Sequence, residues 1–211
     1  MRNTSLMVVA ALSLVMIFVA GCSSPTSPLD ELKAQLKTAP EYNIILEDMR
    51  EEGTFFPAYY HKYKVLQGDQ AWSTDLRKVS EDFYRKNENF LGMSLASKTE
   101  GEESSTPHPA GYNYVGNEKY GQWKSDNSGN SFWEFYGKYA LMRDVLGLAG
   151  GTIFRNDYNQ YQSYQTQNRP YYGRTGQEYG TNGTVTKQRN PSFFERRRAR
   201  DVASQQRFRQ K

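Results

Sequence analysis

"YYHKYKVL", residues 59–66, alternates cleanly: Tyr59, His61, Tyr63 and Val65 fall on one side of a period-two pattern, and Tyr60, Lys62, Lys64 and Leu66 on the other. Aromatic and branched residues facing one way, with lysines facing the other, describe a half-buried antiparallel strand. A strand needs partners. Residues 42–50 fit either a strand or a helix; as a strand, the favoured reading, they supply one, joined to it by a turn at Glu52-Gly53-Thr54, with Pro57 near a strand start or an edge. "MSLASK", 93–98, reads as a further strand. Upstream, Ser27-Pro28-Leu29-Asp30 is a helix start: a capping serine, proline at the first helical position and an acid at the positive end of the dipole. Leu29, Leu32 and Leu36 make that helix's apolar stripe, and Pro40 ends it. The expected fold class is therefore α+β, one small domain with an antiparallel sheet and two to three helices.

Two more helices are expected. "VSEDFYRKNENFL", 79–91, has Ser80 as cap, acids in its first turn and Gly92 as a stop. In 131–147, Ser131 and Glu134 fit the S-x-x-E capping box, and Phe132, Phe135, Tyr136, Tyr139, Met142 and Leu146 align at helical spacing, which predicts a helix over 132–146. "TEGEESSTPHPAG", 99–111, reads as an acidic loop, and the glycine-spaced aromatics that follow suit short twisted strands or an aromatic loop.

Charge is unevenly distributed. Residues 29–150 hold 19 acids and 14 bases, whereas residues 151–211 hold 4 acids and 12 bases. Residues 151–191 are rich in Tyr, Gln, Asn, Gly and Arg and poor in aliphatics, so they are expected to form a largely disordered low-complexity linker. Ser192 to Glu195 then opens a basic C-terminal helix over 192–211. Its targets are anionic: membrane headgroups, or the acidic 29–150 domain itself.

The N-terminus has its own logic. Arg2 is the only charge before residue 30, a low-polarity run from Leu6 to Ala20 follows, and the exit reads Val19-Ala20-Gly21-Cys22 around the chain's single cysteine. That run is short for a transmembrane helix, which needs about 20 apolar residues, and it has the layout of a secretory signal. The motif resembles the lipobox of bacterial lipoproteins. The resemblance implies removal of residues 1–21, acylation of Cys22, a tether over 22–28 and localisation in the cell envelope, with the outer membrane favoured in a Gram-negative cell because Ser23 is not Asp. "GYNYVGN", "SFWEFYGKYA" and "NPSFFERR" likewise resemble strings in uncharacterised bacterial envelope lipoproteins, a likeness that carries no activity.

No catalytic constellation stands out. His61 on a strand and His108 in a loop have no nucleophile or carboxylate at motif spacing, and Glu47, Asp48, Glu51 and Glu52 read as solvated charge. "DNSGNS", 126–131, misplaces the glycine of a calcium loop and reads as a polar turn with a helix cap; no Cys/His cluster has zinc spacing. No cofactor or metal is expected. Two candidate binding surfaces remain. Tyr112, Tyr114, Tyr120 and Trp123 are either core or a sugar-stacking face, with Trp72 and Trp133 as further rings. Arg196, Arg197, Arg198 and Arg200 form a basic stripe for anionic lipid, a cell-wall polymer or an envelope protein. Nucleic acid is not expected behind an export signal. The functional expectation is a non-enzymatic binding or scaffolding module anchored through Cys22, with a peptidoglycan- or polysaccharide-binding or -active protein as the alternative.

Overall fold

The computed structural model describes residues 26–53, 55–139 and 152–209. A short helix, α1 (Pro28–Gln35), comes first, capped as its sequence implies: the Ser27 side chain accepts the Asp30 N–H and the Asp30 carboxylate accepts the Ser27 N–H. The strands β1 (Tyr42–Glu52), β2 (Ala58–Gln67), β3 (Gln70–Ser73) and β4 (Arg77–Val79) follow, then α2 (Glu81–Asn87), with Ser80 at its cap. β5 (Met93–Thr99), β6 (Glu102–Ser104) and β7 (His108–Pro109) complete an antiparallel seven-stranded sheet of order β3-β2-β1-β5-β6, in which β4 also pairs with β2 and β7 with β5. The α+β architecture is the one the alternation at 59–66 implied. The acidic stretch 99–111 is not a plain loop: it holds β6 and β7.

The β1–β2 hairpin closes at Glu52 opposite Ala58, where Gly53 adopts φ 89° and a Cβ would lie 2.7 Å from the Phe56 carbonyl. The register slips by one residue between Leu46 and Asp48, so Glu47 is a β-bulge. Before the bulge Ile44 and Leu46 lie opposite Val65 and Tyr63; after it Met49 and Glu51 lie opposite His61 and Tyr59. The face that carries Val65, Tyr63, His61 and Tyr59 thus takes even-numbered residues of β1 and then odd-numbered ones.

That face forms the first core. Ile44, Leu46, Met49, Tyr59, Tyr63 and Val65 pack with Leu32 and Leu36 around α1, Tyr84 of α2, and Phe193 from the far C-terminus. From the opposite face Ile45 and Leu66 enter a second, aromatic core. It is built from a 3₁₀ turn (Tyr112–Tyr114), the hairpin β8 (Gly121–Ser125) and β9 (Ser131–Phe135), a second 3₁₀ turn (Gly137–Tyr139) and α3 (Arg155–Thr166). Short α4 (Thr184–Arg189) and long α5 (Pro191–Arg209) end the chain.

Two expectations need correction. The helix read over 132–146 is a strand where it is described: Ser131 to Phe135 pair with Ser125 to Gly121, and Ser131 caps nothing. Residues 140–151 lie outside the described residues. The pairing wins because Gly121 lets β9 approach closely; a Cβ there would sit 2.3 Å from the Glu134 carbonyl. Secondly, the segment after residue 151 is packed rather than loose. Ile153, Tyr161 and Tyr171 are buried, and the Tyr171 N–H donates to the Pro107 carbonyl. Tyrosines supply the apolar area that the aliphatic count suggested was missing.

Candidate functional site

The basic helix α5 places its arginines against the first-core side of the sheet. Asn190 ends α4, so α5 begins at Pro191, and Phe193 in its first turn is sunk into the core beside half-buried Phe194. One turn on, Arg196 Nη2 donates to both carboxylate oxygens of Asp48, at 2.6 and 2.8 Å. Another turn on, Arg200 Nη1 reaches the Glu51 carboxylate at 2.9 Å and its carbonyl at 3.3 Å. From α2, Arg85 lies within 4 Å of Glu51, Glu81 and Glu88 and donates to the Tyr59 hydroxyl. These groups frame a cleft of about 280 Å³ with Met49, Tyr84 and Phe193 among its walls.

The four predicted arginines therefore have different environments. Arg196 and Arg200 are spent on carboxylates of β1. Arg197 lines the cleft with no ion pair among the described residues, and Arg198 is exposed. The carboxylates read as solvated charge are the helix's docking partners: Asp48 and Glu51 on the α5 side, while Glu47, in the bulge, takes Lys62 and Lys64 at 3.2 and 3.4 Å. Beyond Arg200 the helix runs on through exposed Val202, Arg207 and Arg209.

The aromatic quartet is distributed differently. Tyr112, Tyr114 and Tyr120 are buried, so they are core residues and not a sugar-stacking face. Tyr120 donates its hydroxyl to Glu41, which also holds Lys119 at 2.7 Å; burial first, then that carboxylate, pushes the Tyr120 phenol well above its usual range. Trp123 alone stays half-exposed, edge-on to Trp133 at 5.2 Å, with the Arg155 guanidinium over its ring at 3.9 Å. The exposed rings lie elsewhere. Phe55 and Phe56, beside the β1–β2 turn, are 89% and 93% exposed, and no periodicity signals them. Trp72 on edge strand β3 is 39% exposed.

A second, shallower groove of about 580 Å³ runs between the β5–β6 edge and α3. Its walls are polar: Gln162 donates to the Tyr158 hydroxyl at 2.9 Å, Ser104 donates to Gln165 at 3.0 Å, and Asn113 donates to Thr99 at 2.7 Å.

Both histidines are interior. His61 faces the first core, not the surface, and burial lowers its pKa to about 4. His108, expected in a loop, sits buried in β7 with its Nδ1 2.8 Å from the Thr106 carbonyl, and burial lowers its pKa too. Asp126 accepts the N–H groups of Ser128 and Asn130, which makes "DNSGNS" a self-satisfied polar turn. Among the described residues there is no metal-ligating cluster of three or more side chains, and no helix is long and apolar enough to cross a membrane. Cys22 lies outside the described residues. Comparison with known proteins finds no matching family model, no matching curated protein and no matching solved structure.

Proposed function

We propose that the chain is a lipid-anchored, non-enzymatic binding or scaffolding module of the cell envelope, tethered through Cys22 and presenting the outer half of α5 to an anionic partner. The observation that carries this reading is the division of α5. Phe193, Arg196 and Arg200 pin its first half to the domain, whereas Arg207 and Arg209 stand exposed on a helix that continues past the last pinned residue. A helix held at one end and basic at the other is a rigid presenter of charge. The lipobox resemblance supplies the tether. The test is fractionation of a bacterial host expressing the native chain and Cys22→Ser. The native chain is expected in the membrane pellet, and the variant unprocessed or released. A variant that is processed and stays in the membrane overturns the anchor.

The polar groove beside α3 favours a second reading, binding of a neutral polysaccharide. Titration with N-acetylglucosamine oligomers, read by tryptophan fluorescence from Trp123 against Tyr158, tests it. An unchanged spectrum rejects it.

A further inference from the structure

We infer that Phe55 and Phe56, together with the outer half of α5, form a membrane-docking face that seats the domain on an anionic bilayer. The inference deepens the reading above and rests on it for one point, the position of the tether.

Three observations meet at one end of the molecule. The first is apolar. Phe55 and Phe56 are adjacent, almost wholly exposed and held on a hairpin of two long strands, Tyr42–Glu52 and Ala58–Gln67. Two exposed phenylalanines side by side are costly in water and fit the interfacial zone of a bilayer, where apolar rings leave water without needing a shaped pocket.

The second is electrostatic. The contacts of α5 advance along β1 toward this hairpin: Arg196 meets Asp48, and Arg200 meets Glu51, one residue short of the strand's end. From Arg200 to Arg209 the helix rises by about 13 Å. The exposed bases Arg207 and Arg209 are thus carried alongside and past the turn that holds the two rings. Basic residues near an anionic surface each raise affinity by roughly fivefold at low salt.

The third is the chain's entry. Glu31 in the first turn of α1 pairs with Arg77, the partner of His61, whereas the Lys37 carbonyl just beyond α1 accepts from Lys98, the partner of Tyr42. α1 therefore runs from mid-sheet back toward the start of β1, and the chain before it enters from the half that carries the hairpin. Cys22 is five residues before Ser27. Five extended residues span at most about 18 Å. An acyl anchor at Cys22 holds this end near the bilayer and leaves little freedom for the opposite end to face it. A shaped protein pocket would accept the rings but would account neither for the bases nor for the short tether. Glu52, exposed at the end of β1 and without an ion pair among the described residues, opposes the field.

The probe is the unlipidated chain, residues 23–211, which contains every described element. It is mixed with vesicles of phosphatidylcholine alone and of phosphatidylcholine with phosphatidylglycerol, and sedimented at low and high salt. Binding is expected only with phosphatidylglycerol, fading as the Debye length falls from about 10 Å at 0.1 M to about 3 Å at 1 M salt. Phe55→Ala/Phe56→Ala should lower the partition coefficient by at least about tenfold. Arg207→Gln/Arg209→Gln should lower it by on the order of twentyfold at low salt, and Glu52→Gln should raise it. All these side chains are exposed, so circular dichroism melts should match the parent. Phe55→Trp should shift its emission to the blue on the anionic vesicles and be quenched by brominated lipid. Unaltered binding of the phenylalanine variant, or no binding by the parent, overturns the face. Sedimentation equilibrium gives the remaining outcome: self-association lost with Phe55 and Phe56 would make this an interface between copies instead. These results are independent of Cys22→Ser fractionation, so the anchor and the face can fail separately.

Discussion

His61 offers the most quantitative test of the first core. Its ring is fully buried, with Tyr63, Phe83 and Tyr84 centroids at 5.5–5.8 Å. Nδ1 lies 3.1 Å from the Tyr63 hydroxyl, and Nε2 has no hydrogen-bond partner among the described residues. Protonation would bury a charge there with no counter-ion, and burial lowers the pKa from 6.5 to about 4. The folded chain therefore keeps the neutral imidazole where the unfolded chain already binds a proton. The stability this secures is complete above pH 6.5 and is lost as the pH falls from 6.5 toward about 4. The gap corresponds to about 3 kcal/mol, against the ~5–15 kcal/mol typical of a whole domain. Urea unfolding at a series of pH values, for the parent and for His61→Phe, isolates this contribution. His61→Phe carries its own fixed cost, because the Tyr63 hydroxyl loses its partner, but that cost does not vary across the window. The parent should lose about 3 kcal/mol more than the variant between neutral pH and about pH 4. His108 and Glu47 keep acid slopes of their own in both proteins, so only the difference counts. Equal slopes would mean that His61 titrates as if in water and that the first core is open to solvent.

Other changes probe other joints. Phe193→Ala, which removes the ring that α5 sinks into the first core, should cost about 3–5 kcal/mol and should speed amide exchange through α5 by about a hundredfold or more, while protection in β1 and β2 falls far less. A double-mutant cycle on Asp48→Ala and Arg196→Ala should return a coupling of about 1 kcal/mol, because Arg196 is 39% and Asp48 16% exposed at the side chain; a value near zero would mean that Phe193 alone seats the helix. Phe135→Ala should lower the melting temperature by roughly 6–20 °C, since Phe135 is 6% exposed within the aromatic core. Gly121→Ala should destabilise by about 1–3 kcal/mol by forcing β8 away from the Glu134 carbonyl and the Trp133 ring. Calorimetry that finds it neutral would contradict the close approach of β8 and β9.

The first core was legible because its elements declare themselves locally. The alternation at 59–66, the capping serines at 27 and 80 and the apolar stripe of α1 each act within a few residues. The β9 segment was misread for an equally local reason. "SFWEF" satisfies the helical template through Phe132 and Phe135 and the strand template through Trp133 and Phe135, and a serine three residues before a glutamate tipped the balance. The decisive fact is cross-strand pairing with 121–125 across the five-residue turn 126–130, a hairpin signal that a count of helical spacing forward from 131 leaves out. The region after 151 was misjudged because aliphatic content stood in for apolar area, whereas Tyr161 and Tyr171 bury large rings. The arginines of α5 were found by composition. Their partners Asp48 and Glu51 are 148 and 149 positions away in the chain, so nothing local linked the two charges.

The bulge at Glu47 also sets a rule for length. A strand is a two-way switch read by counting, and one added residue resets the count for everything downstream. Deleting Glu47 would leave β1 as hydrophobic as before and would keep every residue that contacts α5. Because Leu46 and Met49 would then stand two positions apart, the loss would restore unbroken alternation and leave Met49 and Glu51 opposite His61 and Tyr59. What would go is the local kink and the carboxylate that holds Lys62 and Lys64. The bulge is thus a slot for one dispensable residue. Deleting Leu46 instead would seat Glu47 opposite Tyr63 in the first core, so thermal melts of the two single-residue deletions should differ sharply although the chains have the same length.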